Sequence, residues 1–362
     1  MPETPVTTSS VYSAVPTVKA DGQLNDKLSA QLLGMKMCER EAGMSHLELK
    51  LSNFGSFAGG LADRVFEDGK ILKLGTELTV YAGEVTSPTE IFRGKVTALE
   101  GVFTSSGPPE LLVLAEDALQ GARMKRRTRT WQSASVSGIV QQVAQGLGLT
   151  PVSSGLDASI GDQQQLNESD LHFLRRLLAC FDADLQVVGT ELHATPRSQA
   201  QRNAIQLDLN SQLHEVRILA DLAHQVTKVT ATGWDYNQGQ FFSATSQTTA
   251  LGPGSGKTGK DWLQNALSAR SEQLASLAAL NQAEAEAVVD AEFAQRARRF
   301  VGARGMAEGN PSLRVGSYLT LTGLGPRFSN TYYTTATIHR FDTTHGYETE
   351  FIAECAYLGE AS

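Results

Sequence analysis

Apolar and polar residues alternate in short runs along the first third of the chain. His46-Leu47-Glu48-Leu49-Lys50-Leu51 has a period of two, and Leu74 to Tyr81 and Ile91 to Thr97 repeat it. Such spacing sends alternate side chains to one face of a strand. Leu33 to Cys38 precedes these runs and Leu111 to Ala115 closes the series. Five or more strands at this spacing predict a β-sandwich or barrel.

The period then changes. Val136, Ile139, Val140, Val143 and Leu147 recur at helical spacing, after Ser133 or Ser135 as a cap and before Gly146 and Gly148 as a stop. A second helix follows in Gln163 to Ala194. Ser169 or Asn167 can cap it, Glu168 and Asp170 suit its positive end, and Leu171, Leu174, Leu177 and Leu178 form an apolar stripe that Phe173 and Phe181 widen. Beyond Asp182 a period of two returns in Leu185, Val187 and Val188, and again in Leu192 to Ala194 after a Gly189-Thr190 turn. This pattern predicts a small α/β unit.

Strands resume at Ile205 to Leu209, Val216 to Leu219, Val226 to Trp234 and Gln240 to Thr249. A Gly-rich turn leads into the Ala-rich interval from Asp261 to Phe300. Capping-box spacing of Asn281 and Glu284 divides that interval into two predicted helices, about 261–280 and 282–301, with Arg296, Arg298 and Arg299 at the negative end of the second. Tyr318 to Thr322, Tyr332 to Phe341 and Tyr347 to Ala356 read as closing strands.

A chain of 362 residues implies two or three domains, and 41% hydrophobic with 19% charged residues is a normal globular balance. The net charge of -8 makes nucleic acid and anionic membranes poor general partners. Cys38, Cys180 and Cys355 are far apart, odd in number and set among apolar residues, as reduced core thiols of a protein folded in a cytoplasm would be. The N-terminus lacks a basic start and an apolar run, so no signal peptide is expected there, and no window is apolar enough for a membrane-spanning helix.

Little here points to catalysis. Gly252 to Thr258 ends in Gly256-Lys257-Thr258, matching the second half of the phosphate-binding pattern G-x-x-x-x-G-K-[ST], but Leu251 stands where the first Gly belongs and the preceding run is polar. A P-loop-like nucleotide-binding protein using this loop is the alternative reading; a flexible loop before a helix explains it better. The basic run Arg123, Lys125, Arg126, Arg127 and Arg129 could hold phosphate, but in an acidic chain a charged linker or ion-pair strip is the better account. His46, His172, His193, His214, His224, His339 and His345 show no metal-ligand spacing, and neither a Gly-x-Ser-x-Gly elbow nor a cysteine in a nucleophile context occurs. A cell-wall hydrolase has no motif support. No catalytic, cofactor-binding or metal residue is therefore assigned, and the chain is not expected to be an enzyme.

Four segments, in order, resemble the phage late control D family, the hub of contractile tails and related injection systems, which also supplies the N-terminal half of VgrG-type spikes. They are Ile91-Phe92-Arg93-Gly94-Lys95-Val96 after Leu74 to Leu78; Ala115 to Leu119 with Arg127 to Thr130; Gln164 to Leu178; and Gly309 to Gly316 with Tyr332, Tyr333 and His339. The resemblance spans about residues 30 to 358. It implies a mainly β chain with α+β parts: a tail-tube-like barrel (26–130), a small α/β domain (131–200), and a second barrel (201–362). Residues 1–25, rich in Thr, Ser and Pro, read as an N-terminal arm that orders only against a partner, and the helical insertion in the second barrel, about 261–301, is longer than the family pattern leads one to expect. The family further implies a homotrimer whose six barrels adapt a six-fold tail tube to a three-fold spike. Because the chain stops at Ser362, without room for the spike's own domains, a separate spike protein is expected. Other baseplate proteins join the list of partners. Nucleic acid does not, nor does a membrane in the resting state. The implied place is a virion tail baseplate or injection particle, assembled in the bacterial cytoplasm.

Overall fold

The computed structural model describes residues 12–56, 62–235, 238–274 and 281–360. The first third forms strands β1 (Tyr12–Ala20), β2 (Gln23–Leu24), β3 (Leu32–Arg40), β4 (His46–Ser52), β5 (Glu77–Glu84), β6 (Thr89–Val102) and β7 (Glu110–Glu116), with helix α1 (Asp26–Ala30) between β2 and β3. Their alternation is real. Leu47, Leu49 and Leu51 of β4, Leu78 and Val80 of β5, Ile91 and Val96 of β6, and Val113 and Ala115 of β7 all bury into one core. Residues 12–20, expected within an arm that orders only against a partner, form strand β1, paired with β5 of the same chain. Its register shifts between Ser13 and Thr17, around Pro16, whose missing N–H cannot join the ladder. Residues 1–11 of the expected arm lie outside the described residues.

The middle third holds α2 (Leu119–Arg123), β8 (Arg126–Trp131), α3 (Val136–Gly146), β9 (Thr150–Ser153), β10 (Gln163–Ser169), α4 (Asp170–Cys180), β11 (Ala183–Val188) and β12 (Glu191–Pro196). Ser135 and Ser169 are the caps, accepting from the backbone N–H of Gly138 and His172. Asn167 instead takes a positive φ of 50° beside a bulge in β10. The apolar faces of α3 and α4 meet β11 and β12 in a separate core, where Trp131 and Phe173 stack with centroids 5.9 Å apart.

The remainder forms β13 (Ala204–Asp208), β14 (Leu213–Ala220), β15 (Lys228–Asp235), β16 (Gln240–Ser246), β17 (Lys257–Thr258), α5 (Gly259–Ala266), β18 (Ser271–Gln273), α6 (Gln282–Arg298), β19 (Val301–Glu308), β20 (Tyr318–Thr322), α7 (Gly325–Phe328), β21 (Asn330–Asp342), β22 (Gly346–Cys355) and β23 (Tyr357–Leu358). The expected helix over 261–280 stops at Ala266. The chain then runs parallel to β15 as β18, because the open edge of β15 offers backbone hydrogen bonds that outweigh local helix preference, while residues 275–280 lie outside the described ones. The second predicted helix is α6, capped by Asn281. It packs Ala285, Val289, Phe293 and Ala297 on Val229, Ala231, Phe242 and Ala244 of β15 and β16, so the insertion is a small α/β layer and not a helix pair.

The chain is mainly β, but no ladder closes into a barrel among the described residues. A sheet of 13 strands runs in the order β14-β19-β22-β21-β3-β4-β7-β6-β5-β1-β2, with β20 and β13 branching from β21. The two expected barrels are thus two halves of one open sheet, each over its own core, joined where β21 pairs antiparallel with β3. The α/β unit sits at that join.

Candidate functional site

The Gly252–Thr258 loop spends its phosphate-binding features on folding. Gly254 and Gly256 adopt φ of 108° and 122°. A Cβ at Gly254 would lie 2.5 Å from Cys355 Sγ, and one at Gly256 would lie 2.3 Å from the Leu358 carbonyl oxygen. Glycine is needed so that the loop can press against the C-terminal strand, where β17 pairs with β23. Thr258 caps α5: its hydroxyl oxygen accepts from Asp261 N–H at 3.2 Å, while the Asp261 carboxylate accepts from Thr258 N–H at 3.0 Å. Lys257 Nζ is paired with Glu360 at 2.8 Å. The loop is a capping turn, and the nucleotide reading loses its residues.

The basic run lies largely on the surface, but three of its arginines are paired within the chain. Arg127 and Arg129 hold Asp170 at 3.1 and 2.8 Å, Arg129 lies 3.9 Å over the Trp131 ring, and Arg123 holds Glu116 at 2.7 Å. That is the ion-pair strip and not a phosphate patch. The histidines stay apart, and among the described residues no group of three His, Cys, Asp or Glu could hold a metal ion. His172, His193 and His345 contact Glu168, Glu191 and Asp342, while His339 is buried against Tyr347. The three cysteines are free thiols, Cys38 and Cys355 buried and Cys180 half-buried.

What the fold does assemble is a buried charge cluster at the meeting of its three parts. From β3 and the turn after it come Glu39 and Glu41. The α/β unit supplies Asp182 and Asp184, and the connection after β12 supplies Arg197 and Arg202. The last part contributes Arg298 at the end of α6, Arg314 from the β19–β20 loop, and Glu354 of β22. Arg197, 1% exposed, pairs with Glu41 and with Glu354 at 2.8 Å and stacks on the Tyr333 ring. Arg298 grips Asp182 with two bonds of 2.7 and 2.6 Å and reaches Glu354 at 3.4 Å. Arg202 pairs with Asp184 and donates to the Val315 carbonyl at 3.0 Å. Arg314 pairs with the fully buried Glu39.

The electrostatics follow from this packing. Burial works against the Glu39 charge, but the Arg314 guanidinium and the Val315 N–H overcome it and hold the carboxyl below its usual range. Burial pushes Glu41 up to about 7 despite Arg197, with Glu354 and Asp184 adding to the push. Asp117, at the start of α2, also rises to about 7 through burial, although the N–H groups of Ser45 and Leu119 donate to it at 2.6 and 2.9 Å. Burial and the nearby Arg314 take His339 down to about 3, so its imidazole is neutral. A carboxyl near neutrality beside a cavity is what a general base requires. Glu41, however, is bound to a guanidinium, and its neighbours are further ion pairs, so the arrangement is suited to fixing three parts in one orientation.

Sequence reasoning missed this cluster. Its members are single charges at strand ends and in connections, with no spacing of their own. The available signals were Glu39 and Glu354, each set beside a cysteine in a mainly apolar stretch of its strand, Met37-Cys38-Glu39 and Phe351 to Cys355.

With this geometry, comparison with known proteins is informative. The family model described as the Alg8 N-terminal domain matches residues 59–343, rather than a late control D model. A search of the curated proteins finds no match. Among solved structures, the chain is similar to the 43 kDa tail protein of prophage MuSo2 from Shewanella oneidensis, at 12% identity and a TM-score of 0.67 over 93% of this chain and 97% of that one. It is similar to the tail protein from Neisseria meningitidis MC58, at 10% identity and a TM-score of 0.65 over 95% of this chain and 99% of that one. An Escherichia coli component of the type VI secretion system, described as structurally similar to the T4 bacteriophage tail proteins gp27 and gp5, matches at 11% identity and a TM-score of 0.57, over 95% of this chain and 79% of that one. At such identities the likeness is one of fold.

Proposed function

The chain belongs to the Alg8 N-terminal domain family, and we propose that it is a structural baseplate hub of a contractile tail or injection system. The observation that carries this reading is end-to-end likeness: the fold runs over nearly the full length of two tail proteins as well as of this chain. The resemblance to late control D proteins and to the N-terminal half of VgrG-type spikes agrees with it. In this reading residues 26–130 and 201–362 are the two tube-related halves and residues 131–200 the piece between them. Three copies present six such halves to a six-fold tail tube and one three-fold face to a separate spike protein, an adaptation made by interface symmetry and not by catalysis. Other baseplate proteins complete the surroundings, in a virion tail or injection particle. No nucleic acid or resting-state membrane contact is involved.

The test is mass and co-assembly. Light scattering on the purified chain should give three times the chain mass, and the trimer should bind the tube and spike proteins made from neighbouring genes. Among the described residues β14 and β2 end the sheet with one side of each ladder open, so a chain kept from its partners should aggregate through those edges. A stable monomer that binds neither protein would sink the proposal.

A further inference from the structure

The charge cluster opens outward into a cavity of about 190 Å³ between the first turn after β3, α4 and the end of α6. Its carboxylates, Glu41, Asp182 and Glu354, are already taken by the buried Arg197 and Arg298. Two further guanidiniums line the rim. Arg175 of α4 is exposed and spends only its Nε–H, on the Ala42 carbonyl at 2.6 Å; Arg299 is exposed, and no carboxylate among the described residues pairs with either. Beyond Gln295 and Arg299 a second groove of about 470 Å³ adds Arg270 and His224, while its acids, Glu272 and Glu292, are held by Arg296. Positive charge is therefore in surplus here, on a chain whose net charge is -8.

The helix dipole accounts for cations at the end of α6. It does not account for Arg175, which comes from another helix, or for Arg270, which lies beside β18. Convergence from three elements, next to the buried Arg197 whose Nη1 has no hydrogen-bond partner, is what marks a site.

We propose that this double groove is a docking site for an acidic segment of a partner protein, with Arg175, Arg299 and Arg270 receiving its carboxylates. An exposed guanidinium fork matches a carboxylate with two parallel bonds. The first cavity, at about 190 Å³, has room for one or two acidic side chains rather than a run of nucleotide backbone. The inference does not rest on the hub reading, because it concerns peptide binding by the chain in whatever oligomeric state it takes.

The experiment is calorimetric titration of the intact chain with a hexaglutamate peptide at about 150 mM ionic strength, where exposed charges more than about 8 Å apart are screened. Saturable binding of one peptide per chain is expected. Arg175→Ala with Arg299→Ala should weaken it about tenfold, the loss of two charge pairs worth up to about 1 kcal/mol each, and Arg→Lys at both sites should restore part of it. Both side chains are exposed, and an unchanged melting temperature verifies that the variant folds. Absence of saturable binding, or equal binding by the double variant, overturns the proposal. Tighter binding of a single-stranded oligonucleotide of equal charge also overturns it, in favour of a phosphate-backbone site.

Discussion

The Glu39–Arg314 pair provides the sharpest test of the junction. Glu39 ends β3 in the first half, and Arg314 sits in a loop of the last part. The carboxylate accepts from Arg314 Nε at 2.9 Å and also from Arg314 Nη2, from Val315 N–H at 3.1 Å, and from the Thr337 hydroxyl at 3.4 Å. Glu39→Met leaves a guanidinium, 15% exposed, with only the Glu90 carbonyl at 3.4 Å. An uncompensated buried charge costs about 3–5 kcal/mol, a large share of the roughly 5–15 kcal/mol that holds a folded domain. Arg314→Met should cost a similar amount by stranding the carboxylate. The double replacement removes both charges and should cost far less than the sum, so the coupling energy should be about 3 kcal/mol or more. Urea unfolding near neutral pH, followed by tryptophan fluorescence, measures all three, with Trp131 in the α/β unit and Trp234 and Trp262 in the last part. The sign with pH is fixed as well. A carboxyl lowered by folding stabilises above its unfolded pKa, and that stabilisation fades as pH falls through the folded value. Single variants that lose less than about 1 kcal/mol, or a double variant equal to their sum, would refute a coupled buried pair.

Three further outcomes are expected. Gly94→Ala places a Cβ 2.3 Å from the Glu116 carbonyl oxygen and 2.6 Å from the Phe92 ring, and should cost about 1–3 kcal/mol or more in a thermal melt; an unchanged melt would show that β6 and β7 can move apart. Lys257→Ala removes a solvent-exposed ion pair with Glu360 and should leave the melting temperature almost unchanged, without altering any nucleotide binding; a nucleotide affinity that the variant loses would revive the P-loop reading. Glu41 has its folded pKa raised from the ordinary value to about 7, so the native state binds more protons than the unfolded chain between those limits, and its contribution to stability declines as pH rises through that window. Glu41→Gln should flatten the slope of urea midpoint against pH between about 4.5 and 7, and an identical slope in the variant would remove Glu41 from the account.

Where apolar side chains alternate strongly, the strand was legible: β4 shows it in Leu47, Leu49 and Leu51. β19 buries Val301, Ala303, Gly305 and Ala307 with the same period of two. Three of those four are Ala or Gly, so the pattern carries almost no hydrophobic contrast, and a helix prediction ran up to its edge. β8 was hidden differently, since Arg126 to Arg129 are polar throughout and the strand exists because β10 pairs with it. β18 owes its form to the edge of β15. In each case partners far along the chain decide the structure, and a local window cannot contain them.

The resemblance motifs acquire physical reasons at the same junction. Arg314 of Gly309–Gly316 is the partner of Glu39, and Gly316, at a φ of 87°, leaves the space that Arg202 Nη1 fills, 2.4 Å from where a Cβ would stand. Tyr333 supports Arg197, and His339 lies buried beside the Glu39–Arg314 pair. Ser169 caps α4 while Asp170 secures β8 through Arg127 and Arg129, which fixes the α/β unit that delivers Asp182 to Arg298. Apolar contacts would have bound these three parts at least as strongly, because buried ion pairs gain little over well-packed hydrocarbon. What paired charges add is penalty: a rotation of one part strands several buried charges at once, at a few kcal/mol each. The junction of the three parts therefore has one favoured orientation and resists every other.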